Sequence, residues 1–166
     1  GGVASLAIQL ARVRGARVVA TASSEAKREL CLSLGAEHAW PYEDVVSGVK
    51  SWTQRGGVDV VVEHVGAATW ADSVRCARWG GTVVTCGATT GHAVTLDLRV
   101  LFFKQLNLLG STMGSISELR TAWALAVAGD IRPVVDRVMP MSEVGEAQRL
   151  IEARGVLGKI VLRQDL

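Results

Sequence analysis

Two glycines stand at the head of an apolar stretch, Gly1-Gly2-Val3-Ala4. Glycine lets backbone approach an anion closely, and the free N–H groups of a helix start can hold it, so the pair suits a pyrophosphate. Two glycines before a helix also make an ordinary turn, and that alternative stays open here. Further on, the run Arg17 to Ala22 leads into Ser23-Ser24-Glu25-Ala26-Lys27. A dinucleotide site that selects NAD carries an acid at such a strand tip, where it binds the ribose hydroxyls and repels a 2′-phosphate. Here the tip offers the hydroxyl and N–H of Ser23 instead, with Lys27 one helical turn on. Glu25 argues the other way, unless it only favours the helix dipole. Glu63-His64 sets a carboxylate beside an imidazole inside an apolar run, the makings of an acid–base dyad; a histidine satisfied in the core is the plainer alternative. Cys31, Cys76 and Cys86 are isolated, with no C-x-x-C and no zinc spacing. They are expected to be reduced thiols, and no residue is assigned as catalytic or metal-binding.

The elements that must position these groups follow from periodicity. Val3, Leu6, Ala7, Leu10 and Ala11 make a helical stripe that Gly15 ends. A strand over 17–22, a helix capped by Ser23 or Ser24 and ended by Gly35, a short strand at His38 to Trp40 and a helix from Glu43 to Thr53 come next. The clearest strand is Val58 to Val65. After it come a helix over 69–77, a strand over 81–86, a helix over 98–104 and a strand over 106–109. Ser115 and Glu118 form a capping box for a helix carrying Leu119, Trp123 and Val127, with Trp123 suited to a core face. An extended run over 134–138, a helix over 143–153 and a strand over 159–162 close the chain. Strands alternating with helices imply right-handed βαβ units, and near-continuous Val runs imply a parallel sheet covered on both faces.

Composition narrows the class. The 166 residues suit one domain. A formal charge of +2, evenly scattered, excludes a nucleic-acid groove and a polybasic membrane patch. No run approaches the roughly 18 apolar residues of a membrane span. Gly1 to Leu10 lacks the basic start and cleavage site of a signal peptide, so a cytoplasmic location is expected. The chain opens on a helix with no strand to launch it, which suggests the C-terminal piece of a longer protein.

The stretch Gly1 to Ala11, GGVASLAIQLA, resembles the G-x-G-x-x-G/A helix start of the medium-chain dehydrogenase/reductases, with Ala4 in the third-glycine place. The similarity continues through Leu34-Gly35-Ala36-Glu37-His38, Gly57-Val58-Asp59-Val60-Val61, Gly80-Gly81-Thr82-Val83-Val84 and Cys86-Gly87-Ala88-Thr89-Thr90-Gly91. It ends with Leu109-Gly110-Ser111-Thr112-Met113-Gly114 and Gly158-Lys159-Ile160-Val161-Leu162. Zinc-binding-type alcohol dehydrogenases and quinone oxidoreductases are the branch it is most similar to.

That resemblance implies an α/β, doubly wound parallel-sheet Rossmann fold, truncated at its N-terminus with the first strand absent. Residues 1–132 would be the incomplete dinucleotide-binding domain, and 133–166 a segment returning to a missing catalytic domain. Gly1, Gly2 and Val3 would hold the pyrophosphate. Lys27 and Tyr42, at the spacing of the NADP-dependent branch, would contact the 2′-phosphate with help from Ser23. Lys27 serves equally well as a solvated surface lysine. Val65, with Gly66, would border the adenosine, and Gly87, Ala88, Thr89, Gly110 and Ser111 the nicotinamide side. The family thus implies NADP(H) favoured over NAD(H), zinc only through the missing N-terminal domain, and a small-molecule carbonyl, alcohol, quinone or enone substrate. It also implies a homodimer of the intact protein through the sixth strand, Leu106 to Leu109. A non-catalytic dinucleotide-sensing module is the alternative from another class; a methyltransferase of Rossmann-like fold ranks below both.

Overall fold

A computed structural model describes residues 1–164. Helix α1, Gly2–Val13, is followed by β1, Val19–Thr21, α2, Glu25–Ser33, and β2, His38–Trp40. A 3-10 turn, Tyr42–Asp44, then precedes α3, Val45–Trp52, where the sequence suggested one continuous helix. Next come β3, Val58–Glu63, α4, Trp70–Cys76, β4, Ala77–Thr85, α5, Leu98–Phe103, and β5, Asn107–Gly110. Helix α6, Ile116–Ala128, β6, Val135–Pro140, α7, Val144–Glu152, and β7, Lys159–Arg163, complete the described chain.

Every strand pairing is parallel, as helical crossovers require. β1 pairs β2, β4 lies between β3 and β5, and β6 pairs β7. The first two sheets, β2-β1 and β3-β4-β5, follow the 3-2-1-4-5-6 order of a dinucleotide-binding fold with its first strand left out. β1 and β3 therefore each keep one unpaired edge among the described residues.

Two cores hold the halves together. Ile8, Ala22, Cys31, Leu34 and Ala36 pack with Val18, Leu30 and Val134. Val74, Ala77, Val83 and Leu106 pack with Val61, Trp70, Leu101 and Leu108. Helix α1 buries Ser5, Ile8 and Gln9, so its inner face is rotated from the expected stripe, and Val3 is exposed. The reason is polar: the Gln9 amide donates to the Arg132 carbonyl and accepts from the Arg132 N–H, both at 2.9 Å. A buried amide satisfied in this way is tolerated in a core and ties α1 to the start of the C-terminal segment.

Coverage of the sheet is uneven among the described residues. Val60 and Val62 are 57% and 49% exposed on β3. Helix α6 has no buried residue, and its stripe Ile116, Leu119, Trp123 and Val127 faces outward instead of lining a core. Apolar strand faces and helix stripes bury themselves only against another layer, and among the described residues none lies against these. No helix among the described residues is long and apolar enough to cross a membrane.

Candidate dinucleotide-binding site

The carboxyl ends of β3, β4 and β5 are tied into one platform. β3 stops at Glu63, two residues short of the expected strand, because its carboxylate turns the chain. Glu63 is 3% exposed. Oε1 accepts from the Val65 and Gly66 N–H groups at 2.6 and 3.0 Å, and the Thr69 and Ser73 hydroxyls donate to the same carboxylate at 2.9 and 2.5 Å. Burial pushes this carboxyl upward, but the bonds from Ser73, Gly66, Val65 and Thr69 outweigh it and hold the group below its ordinary range. These bonds, not His64, occupy Glu63, so no acid–base dyad forms with the neighbouring imidazole.

The exits of β3 and β4 are laced to each other. The Thr90 N–H and hydroxyl both donate to the Val65 carbonyl at 2.8 Å, and the Ala67 N–H donates to the Gly91 carbonyl at 3.1 Å. At Gly66, φ is +97° and a Cβ would lie 2.5 Å from the Gly91 oxygen and 2.9 Å from the Ala88 Cα. Only glycine meets both demands. At Gly87 a Cβ would sit 2.6 Å from the His64 oxygen. β5 joins through the Ser111 N–H, which donates to the Thr85 carbonyl at 2.9 Å, beside the pairing of Gly110 with Thr85. Val65, Gly87, Ala88, Thr89, Gly110 and Ser111 thus gather at the carboxyl edge of the three-stranded sheet, where open α/β sheets take ligands.

The other predicted residues gather around β1, β2 and the start of α1. Helix α1 has Gly1 as its N-cap, with no side-chain cap and no acid in its first turn. Lys159 of β7 reaches over this point: a Cβ on Gly2 would collide with its side chain. Lys27 likewise lies close enough to Gly1 for its charge to act there. Two cations therefore stand near a helix start whose N–H groups carry partial positive charge. Lys27 is half-buried, with Nζ donating to the Arg154 carbonyl at 3.2 Å. The cap of α2 is Ser24, whose hydroxyl accepts from the Lys27 N–H at 3.4 Å. Ser23 and Tyr42 are exposed just beyond the carboxyl ends of β1 and β2. The predicted residues thus form two groups, each at the carboxyl end of its own sheet, and no hydrogen bond among the described residues joins them.

Zinc does not fit the described residues of this chain. Among the described residues no group of three His, Cys, Asp or Glu side chains comes together to hold a metal ion. Cys31 and Cys76 are buried thiols, and burial pushes Cys76 up to about 11, the reverse of what a thiolate ligand needs. A dinucleotide fits better: an uncapped helix start with lysines beside it, and glycines at the exits of β3 and β4 where a Cβ would collide with backbone.

The parallel order, the glycine-bearing exits and the cationic helix start define a nucleotide-binding α/β domain. Residues 2–128 match the zinc-binding dehydrogenase family, and the chain belongs to it. It is 32% identical to a probable quinone oxidoreductase of Schizosaccharomyces pombe, over 98% of this chain and 52% of that protein. Among solved structures it is similar to an NAD-dependent alcohol dehydrogenase, at 38% identity and a TM-score of 0.89 over 96% of this chain and 47% of that one. It also resembles a crotonyl-CoA carboxylase/reductase in complex with NADP, at 31% identity and a TM-score of 0.87 over 98% and 47%. The chain spans about half the length of these proteins.

Proposed function

We propose that this chain is the cofactor-holding part of an NADP(H)-dependent oxidoreductase that transfers hydride to or from a carbonyl, alcohol, quinone or enone. The observation that carries this reading is the cationic start of α1, with Lys27 and Lys159 beside it and no acid at the tip of β1. The N–H groups at Gly1, Gly2 and Val3 hold the pyrophosphate, and Lys159, which sequence reasoning missed, adds a charge there. Lys27 leaves the Arg154 carbonyl for the 2′-phosphate, a charge-assisted bond stronger than the neutral one it gives up. Ser23 and Tyr42 complete that subsite. Val65 and Gly66 border the adenosine, while Gly87, Ala88, Thr89, Gly110 and Ser111 face the nicotinamide. Once bound, the nicotinamide ring supplies the hydride. The protein's part is to hold that ring in register with a substrate bound by residues outside this chain.

Residues 1–132 form this domain and 133–166 lead back to a catalytic domain that precedes Gly1. A strand from that preceding segment fills the place between β1 and β3. The full-length protein should therefore oxidise NADPH with a quinone, enone or aldehyde, while residues 1–166 alone should give no turnover above background. Turnover by the isolated chain, freed of contaminating reductases, would refute this division of labour.

The full-length protein is proposed to be a homodimer through the free edge of β5. The strand is Asn107–Gly110, one residue later than the sequence suggested, and Leu106 and Leu108 pack into the core. Leu109, 54% exposed, is the apolar residue left at that edge. Leu109→Lys should shift the dimer to monomer in light scattering; a wild-type monomer at micromolar concentration would contradict the assignment.

A further inference from the structure

The amino end of the three-stranded sheet carries a feature that the cofactor does not use. A groove of about 450 Å³ opens between α3, α4, the start of β4 and α5, lined by Lys50, Arg75, Trp79, Arg99, Phe103 and Lys104. It is shallow and open to solvent, so a ligand there would be held on one face only. The cofactor loops leave from the opposite end of β4, beyond Thr85.

Local backbone presents the aromatic ring. Register between β3 and β4 jumps from Val58 opposite Ala77 to Val60 opposite Thr82, so Arg78 to Gly81 bulge outward. Gly80 takes φ +68° in this excursion, and its N–H donates to the Lys104 carbonyl at 2.7 Å, which fixes it. The bulge re-aims a side chain, as bulges do, and leaves Trp79 64% exposed beside Phe103 at 61%. Large exposed aromatics grouped in one concave patch mark a binding surface.

The charge is one-sided. Arg75 and Arg99 are paired with Asp72 at 3.4 Å and Asp97 at 2.8 Å, but no carboxylate lines the groove itself among the described residues. Lys104 donates to the Val74, Arg75 and Ala77 carbonyls, which are neutral partners. Its ammonium lies below the ordinary range through burial, and the Lys50 charge pushes it further down against Cys76. Lys50 and Lys104 thus carry charges that no carboxylate of the lining offsets.

We propose that this groove is a second ligand site, which takes a planar ring bearing a phosphate group. The ring lies against the exposed faces of Trp79 and Phe103, and the phosphate sits among Lys50, Arg75 and Arg99. Aromatic faces and guanidinium groups recognise these two parts of one molecule by stacking and by charge-assisted hydrogen bonds. The site is independent of the proposed hydride chemistry.

The test is fluorine NMR of the full-length protein labelled with fluorotryptophan, with the Trp79 resonance assigned by its loss in Trp79→Phe. Phenyl phosphate and adenosine monophosphate should each shift that resonance saturably, more tightly than inorganic phosphate does. Lys50→Gln combined with Arg99→Gln, both on exposed side chains, should weaken the response about tenfold. Lys27→Ala, at the cofactor end, should leave the Trp79 curve unchanged. A resonance unmoved by either ligand up to about 10 mM would overturn the proposal. So would equal affinity for inorganic phosphate, or a response that survives the double variant or vanishes with Lys27→Ala.

Discussion

Glu63→Ala should destabilise the full-length protein by about 3–5 kcal/mol in urea unfolding at neutral pH, because it leaves the Val65 and Gly66 N–H groups and the Thr69 and Ser73 hydroxyls without their acceptor. Glu63→Gln, which keeps one acceptor oxygen, should cost less. The same carboxylate carries a pH signature. Its folded-state pKa is lowered, so its contribution is complete above the unfolded value and is lost as pH falls through the lower folded one. Wild-type stability should therefore decline below about pH 4.5 with a component that Glu63→Ala lacks. An unchanged unfolding midpoint in the alanine variant would show that the platform stands without the carboxylate.

Lys27→Ala should weaken NADPH binding by roughly ten- to hundredfold and leave NADH within about twofold. The difference arises because only NADPH presents the 2′-phosphate. Lys159→Ala should weaken both cofactors together, since the pyrophosphate is common to them. Titration of each variant with both cofactors separates the two lysines. Equal losses for NADPH and NADH in Lys27→Ala would remove Lys27 from the 2′-phosphate subsite, and with it the case for NADP(H) over NAD(H). That outcome would fit the likeness to an NAD-dependent alcohol dehydrogenase.

Much of the fold was legible because it rests on local chemistry. The Val58 run is a strand for the reason the sequence suggests, apart from the end that Glu63 bends away. The capping box forms as expected, with the Ser115 N–H donating to Glu118 at 2.6 Å and the Glu118 N–H to the Ser115 hydroxyl at 3.2 Å. The glycines at 66 and 87 were visible as turns, but the reason for them, backbone packed against backbone from another strand exit, is a tertiary fact. Glu63 drew notice only beside His64, and its actual partners went unforeseen: they lie two, three, six and ten residues on, a spacing that fits no helical or strand period. Lys159 and Gln9 depend on contacts across more than a hundred residues, so nothing near them in sequence announced their roles. The stripes of α6 and β3 are apolar as the sequence suggests, but among the described residues they are exposed, because periodicity shows which side of an element seeks a partner and not whether that partner lies in the same stretch of chain.

The central claim, that these particular loops hold a nicotinamide dinucleotide, is tested most directly by backbone hydrogen exchange of the full-length protein with and without NADPH. The cofactor should slow exchange at the start of α1, at Ser23 to Lys27 and at Gly87 to Thr89, and leave α7 unchanged. NADPH that binds yet protects none of those three segments would contradict the account.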